Sequence, residues 1–494
     1  MRGIATLVVC LLAHACAKTN PYKCTGSDQC VLNGQAGTCE PEGFCAFPDM
    51  DCPSGTRFES GAGDGLGGQC TAPPDAPLAP CGALGQACCT GEQGSAGPCV
   101  GGTYCNAGTC DECAADMTFG HDIGCYLKKD HTVWCAGNNA SGMLGNGSAA
   151  NMFVGSAVQV VDATGPISDA SAIGGGYGHN CVVRANGAVY CWGRNYDGQL
   201  GNNTTTDSSK AVQVLKAMGS AATAPLTGIV DLDGGSAMVC GHDTTGIVWC
   251  WGYNGSGQLG DGTTTTRHIA APVMAGSASF TGAENIVSGD SFTCTKKGAD
   301  YWCWGADGDG QFGDGSNGTG DYVNPFKVAT TSAIGLGNYH ACWVNADTSI
   351  SCAGANYHGQ MGNGSGNDYT GADQKTPAPV ITEAGTPFMG AVELAAGGAM
   401  TCARTMDGHV WCWGDNKYGQ IGGGSPTPYP AIVIDETTLM PLAHADHLIA
   451  KYAHVCAHTT DAGWKCWGRG GSGELSDGKL RTRGLATPLG LTCP

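Results

Sequence analysis

From about residue 117 to the end of the chain, apolar residues fall in short, near-alternating runs bounded by glycines and separated by polar Thr/Ser/Asn stretches. A period of two marks half-buried strands, and no segment shows a helical period of comparable strength. The strands repeat. Cys181…Val189-Tyr190-Cys191-Trp192-Gly193, Cys240…Val248-Trp249-Cys250-Trp251-Gly252 and Cys402…Val410-Trp411-Cys412-Trp413-Gly414 are copies of one unit. Its second Cys falls at 135, 191, 250, 303, 352, 412 and 466, which gives seven copies at intervals of 49 to 60 residues. A period near 50 marks propeller blades or solenoid units.

Each Cys-Trp-Gly leads into a second fixed element, as in Asn195-Tyr196-Asp197-Gly198-Gln199-Leu200-Gly201 and Asn416-Lys417-Tyr418-Gly419-Gln420-Ile421-Gly422. A short apolar segment follows, such as Ala211-Val212-Gln213-Val214-Leu215 or Ala378-Pro379-Val380-Ile381. Turn chemistry links the two cysteines of each unit. Six copies have nine residues between them, so a hairpin with Cys opposite Cys has a three-residue loop. In Ala185-Asn186-Gly187, Thr244-Thr245-Gly246 and Met406-Asp407-Gly408 the third loop residue is Gly, which adopts the required left-handed conformation without strain. The copy from Cys294 to Cys303 is one residue shorter, and its loop becomes Gly298-Ala299, with Gly first as a type II′ turn requires.

Facing residues of antiparallel strands lie within disulfide range. One disulfide per unit is therefore expected: Cys125–Cys135, Cys181–Cys191, Cys240–Cys250, Cys294–Cys303, Cys342–Cys352, Cys402–Cys412 and Cys456–Cys466. Two further cysteines, Cys113 before the first unit and Cys493 beside the C-terminus, are expected to join the ends of the ring.

The repeats resemble those of the regulator-of-chromosome-condensation family, whose blades read G-G-x-x-H-x-C-A-L…D-G-x-V-x-x-W-G-x-N…G-Q-L-G-x-G. The resemblance covers about three-quarters of the chain and implies an all-β, seven-bladed β-propeller of four-stranded blades over residues 117–494. Departures occur where Trp becomes Ala136 and Ala353, and where the last copy has Gly470 for Asn and Ser476 for Gly. These predict weaker blades at one end rather than a broken ring.

The N-terminal part reads differently. Met1-Arg2 and the apolar run from Ile4 to Ala13 are too short to span a membrane and read as a signal peptide over residues 1–15. Ala13-His14-Ala15 suits ordinary cleavage, and Cys16 resembles a bacterial lipidation site, although His14 departs from that pattern. Of 30 cysteines, removing Cys10 and lipidating Cys16 leaves 28, an even number that can all pair. Residues 16–71 form a Cys-rich module, 72–80 a Pro-rich linker, and 81–113 a second Cys-rich module, both modules too small to hold together without disulfides. The second module resembles inhibitor-type cystine knots (knottins). That resemblance implies Cys81–Cys99, Cys88–Cys105 and Cys89–Cys110.

Composition narrows the function. A net charge of −19 repels phosphate backbones and argues against nucleic-acid partners. His179, His340 and His454 share one repeat position, with His121 nearby, and could in principle ring a metal. Three other copies carry Met238, Phe292 and Met400 there, which favours packing. Asp307-Gly308-Asp309-Gly310-Gln311-Phe312-Gly313-Asp314 superficially suggests a calcium loop but lacks the twelfth-position Glu. Asn146, Asn254 and Asn363 begin Asn-x-Ser sequons that read as loop tips. No P-loop, nucleophile elbow or catalytic carboxylate pair is present, and no cofactor is implied.

The expectation is a monomeric, non-enzymatic binding scaffold, a bacterial outer-membrane lipoprotein or a secreted protein. It would use a propeller face to bind a protein or glycan partner at the cell envelope, touching the membrane only through a lipid anchor. The resemblance implies the same mode of action, because extracytoplasmic members include secreted β-lactamase inhibitors that bind through one face. Two alternatives stand beside it: guanine-nucleotide exchange, as in nuclear members, and a propeller enzyme.

Overall fold

The computed structural model describes residues 113–489, except 219–221, 317–319, 367–371 and 477, together with the backbone of short strands between residues 31 and 112. The export segment 1–15, Cys16, the Pro-rich stretch 72–80 and Cys493 lie outside the described residues, as do the side-chain pairings of residues 81–110. The chain divides into two compact units, Met1–Cys81 and Gly82–Pro494. The first holds a pair of two-residue strands and a three-stranded sheet. In the second, a hairpin of Thr103–Asn106 and Thr109–Glu112, with Cys105 in register with Cys110, precedes the propeller.

The propeller has seven blades, each an antiparallel meander whose four strands follow one another from the central axis outward. The innermost strands are Ala114–Phe119, Ala170–Gly175, Ile229–Gly234, Val287–Ser288, Ile334–Leu336, Ala391–Ala396 and Ala445–Lys451. Blade 3 is extended by a hairpin, Leu215–Met218 and Ala222–Pro225, which adds to its outer strand in parallel. Every blade is built from one contiguous stretch, so no strand is lent from one end of the chain to the other.

In all seven blades the second and third strands place Cys opposite Cys. The seven rungs are disulfides with Cα atoms 4.0–4.2 Å apart. Cys113 is also disulfide-bonded. The hairpin loops follow the turn rule: Gly187, Gly246 and Gly408 have φ of 76–79°, and Gly298 has φ 65°. His131 (φ 64°) and Thr348 (φ 70°) take the same left-handed conformation without glycine, which costs about 1–2 kcal/mol each.

The hydrophobic core is distributed between blades. Seven apolar clusters each span one interface, including the closing one, where Phe119 and Tyr126 of blade 1 pack with Trp464 and Leu475 of blade 7. This explains the two sequence signatures together. The Trp of Cys-Trp-Gly is fully buried and donates its indole N–H to the carbonyl of the Gln in the preceding blade's Gly-Gln-Leu-Gly. Trp251 bonds Gln199 at 2.9 Å, Trp304 bonds Gln258 at 3.0 Å, Trp413 bonds Gln360 at 2.9 Å and Trp467 bonds Gln420 at 3.0 Å. The Leu fills the same interface, and the last Gly lies against the indole: a Cβ on Gly201 would sit 2.9 Å from Trp251 Cδ1.

The two blades lacking this Trp are not left hollow. In blade 1, where Ala136 replaces it, Tyr126 from the neighbouring strand donates its hydroxyl to the Glu474 carbonyl of blade 7, the position of the repeat's Gln. In blade 5, where Ala353 replaces it, Trp343 is buried against the same interface. Both aromatics directly follow the first Cys of their blade, where other copies have smaller residues such as Val182, Gly241 and Ala403. The large ring has moved one strand inward.

Candidate functional site

Two surfaces follow from the meander. One face carries the turns between first and second strands and the loops after the third strand. The opposite face carries the Cys-hairpin tips and the loops between blades.

The shaft narrows where each innermost strand ends. At that repeat position stand Gly120, Gly176, Gly235, Gly289, Gly337 and Gly397. Glycine is needed because adjacent blades touch there: a Cβ on Gly176 would lie 1.8 Å from the Gly235 carbonyl oxygen. Blade 7 breaks the pattern with Lys451. Its Nζ reaches across the ring to the Asp233 carboxylate of blade 3. Tyr452, the next residue, stands in the mouth of the first face. Its ring packs at 5.7 Å and 6.4 Å from Tyr177 and His121, and its carbonyl accepts the Gly398 N–H. Burial, reinforced by nearby carboxylates, holds the Tyr452 phenol neutral. The shaft is therefore closed on that side.

On the opposite face it remains a cup of about 470 Å³, floored by Lys451. Its wall carries carboxylates from three blades. Asp116 and Asp231 stand at the same repeat position, nine before the first Cys, as do Glu393 and His447. Glu393 is well compensated: His447 Nδ1 lies at 2.6 Å, Arg404 Nε at 2.7 Å, and the Leu448 N–H donates at 3.1 Å. Burial pushes Glu393 upward, but these bonds outweigh it and hold the carboxyl below its usual value, while His447 is raised by the same partner. Asp231 accepts the Ile286 N–H at 3.1 Å. Neither Asp116 nor Asp231 has a Lys or Arg ion-pair partner among the described residues, and burial raises both, Asp116 to about 6.

The Asp116 shift has a pH consequence. Its carboxyl binds the proton more tightly in the folded chain than at the usual value of 3.8. The associated stability is complete below pH 4 and is lost as the pH rises through about 6, a change of about 3 kcal/mol. Thermal melts of Asp116→Asn should show a smaller decline between pH 4 and 6 than the native chain and a higher Tm at pH 8. An unchanged slope would contradict this assignment.

The first face carries most of the large exposed aromatics. Tyr196, Tyr253 and Tyr357 follow the third strands of blades 2, 3 and 5, and Tyr339 lies in a first-to-second-strand turn; they are 68, 42, 39 and 46% exposed. Arg194 lies over Tyr177 and Arg469 over Tyr418, extending the aromatic surface with cation–π pairs.

The histidines at the shared repeat position are fully buried in separate places. Burial pushes His179 and His340 down to about 3, so both are neutral. His340 Nε2 lies 2.8 Å from Thr401 Oγ1 of blade 6, and His454 stacks on Phe119 of blade 1 at 5.0 Å. They do not converge, and no group of three or more His, Cys, Asp or Glu among the described residues is placed to hold a metal. His121 sits on the rim, stacked on Tyr177 at 4.7 Å. In the calcium-like segment, Asp307 takes the place of the repeat's loop-organising Asn and accepts the Phe312 N–H at 2.9 Å. Burial, with Asp314 and Asp321 nearby, raises it to about 6. Asn254 is not a loop tip: it is fully buried, accepting the Leu259 N–H at 2.9 Å and donating to the Thr263 and Thr265 carbonyls. Its side chain cannot carry a glycan in the folded chain. Lys451, Tyr452, the cup carboxylates and the tyrosine face carried no motif. The one visible signal was the single Lys in a column of six glycines.

A closed ring of seven four-stranded, sequence-related blades, with its core between the blades, defines a repeat β-propeller. Comparison names the repeat. Family models described as Regulator of chromosome condensation (RCC1) repeat match residues 170–199 and 391–420, and residues 186–220 and 245–295. The matched segments lie in blades 2, 3, 4 and 6 and are similar to this family's repeats. It is 25% identical to the ultraviolet-B receptor UVR8 of Arabidopsis thaliana over 64% of this chain and 70% of the receptor. It is 24% identical to the E3 ubiquitin-protein ligase HERC2 of Homo sapiens over 60% of this chain but only 6% of the ligase. Among solved structures, human WBSCR16 superposes with a TM-score of 0.57 at 18% identity, covering 74% of this chain and 94% of that one. Prp20p from Saccharomyces cerevisiae gives 0.52 at 17% identity, covering 68% and 80%. These two likenesses concern the fold.

Proposed function

We propose that this protein is a non-enzymatic binding scaffold of an extracytoplasmic compartment, attached to the cell envelope or secreted, that engages a protein partner through its tyrosine-bearing face. The observation that carries the reading is the collection of exposed tyrosines on one face of a rigid ring. Tyrosine supplies large contact area at low entropic cost and is enriched at protein interfaces. The buried disulfide rungs support the compartment, since such bonds persist in oxidising surroundings and are rare in the cytosol. That weighs against the nucleotide-exchange reading, which needs a cytosolic or nuclear partner.

The test uses the full oxidised chain immobilised against envelope extract, beside a variant with Tyr196, Tyr253 and Tyr357 all changed to Ala. Capture of a defined partner by the native chain, and its loss in the variant at unchanged Tm, is the expected result. Equal capture by both, or a native chain found reduced in the cytosol, would refute the reading.

A further inference from the structure

The face opposite the tyrosines holds two concavities that the reading above does not use. One is the cup. The other is a cleft of about 650 Å³ across blades 4 to 6, bordered by Lys296, Gly298, Ala299, Val344 and Ala391. The shortened hairpin of blade 4 forms part of its wall, because Gly298-Ala299 is the turn that one deleted residue produces. Ser332 lines both cavities, so cleft and cup are adjacent. Further round the same face, over blades 5 to 7, Met389, Met406, Leu439 and Met440 are 49 to 72% exposed, and the Met406 N–H bonds the Gly390 carbonyl at 3.0 Å, which brings Met406 beside Met389. Flexible thioethers on a surface adapt to apolar partners.

We infer that this second face docks an extended peptide segment of a partner protein, with apolar side chains in the cleft and a basic side chain in the cup. Charge complementarity selects the occupant. The cup's basic side chains are already committed, Lys451 to Asp233 and His447 to Glu393, while Asp116 and Asp231 line the cavity without a Lys or Arg partner among the described residues, His447 acting on Asp116 only at longer range. Burying a carboxylate without a counter-charge is unfavourable, and a guanidinium or ammonium entering the cup relieves it. An acidic segment would meet repulsion from several blades at once. The closed floor limits the ligand to a side chain or short loop rather than a threaded strand. This inference does not depend on the tyrosine face.

The probe is a fluorescein-labelled Leu-Arg-Leu-Arg-Leu peptide, titrated with the full oxidised chain and read by fluorescence anisotropy, beside Leu-Glu-Leu-Glu-Leu. Saturable binding of the basic peptide alone is expected. The Asp116→Asn/Asp231→Asn variant should weaken it by about tenfold or more. Asp130→Asn/Asp461→Asn, which removes the same charge from exposed hairpin tips of that face, should change it by less than about twofold. Ser332→Trp, an exposed position where cleft meets cup, should also weaken binding without touching a carboxylate, which guards against a folding defect in the first variant. Equal weakening by both Asn pairs would reduce the effect to general acidity and overturn the inference, as would equal binding of the acidic peptide. Loss of the tyrosines should leave this binding intact, so the two faces fail or succeed separately.

Discussion

Trp251→Ala is expected to destabilise the propeller by about 3–5 kcal/mol, the range for truncating a large buried aromatic. The ring is fully buried between blades 2 and 3, packed with Leu200, Val214 and Leu232, and Gly201 lies directly against it. Its removal opens a cavity that close-packed strands cannot collapse into, and it leaves the Gln199 carbonyl without the indole donor at 2.9 Å. Trp251→Phe keeps much of the volume and loses the hydrogen bond, so it should cost less. Chemical denaturation with both variants separates the contributions. A Trp251→Ala loss below about 1 kcal/mol would mean that the indole staple does not hold the blades together.

Reduction of the disulfides is the second large effect. Each rung closes a hairpin of nine or ten residues, worth about 2–3 kcal/mol in the chain-entropy model. Rungs in non-adjacent blades share no partners, so their contributions should add. Seven together approach or exceed the net stability of about 5–15 kcal/mol usual for a folded domain. The fully reduced chain is therefore expected to lose its near-ultraviolet tryptophan signal at room temperature. The cysteines are buried, so reductant acts only when a hairpin opens, and reduction should be slow without denaturant. Replacing the Cys240–Cys250 pair by alanines should lower stability by the single-rung amount. A reduced chain with its Tm within a few degrees of the oxidised one would show that inter-blade packing alone suffices.

The fold was legible because each blade restates the same local rules. Loop length, the position of Gly187, Gly246 and Gly408, and the Cys spacing all imply one hairpin register, and that register is the one found. His131 and Thr348 show the limit of the glycine rule, since both adopt its conformation without its residue. The interfaces were less legible. A Trp lost from one strand and regained on the next, as Tyr126 or Trp343, cannot be recognised until strand neighbours are known. The cup was illegible for a different reason: it is assembled from short runs of residues in every blade, and its Asp116, Asp231 and Glu393 carboxylates lie more than 100 positions apart. Asp116, Asp231 and Glu393 form no motif along the chain, and only closure of the ring brings them to one level. Lys451 was the exception, since a charged residue in a column of glycines must either clash or span the gap.

That single departure decides what kind of object the ring is. With Lys451 tied to Asp233 and Tyr452 set in the opposite mouth, the axis is a septum rather than a conduit. Lys451 and Tyr452 stand between the cup and the tyrosine-bearing mouth. Both residues come from one short stretch of the last blade. Under the two binding proposals above, an occupant of one side need not give way to an occupant of the other.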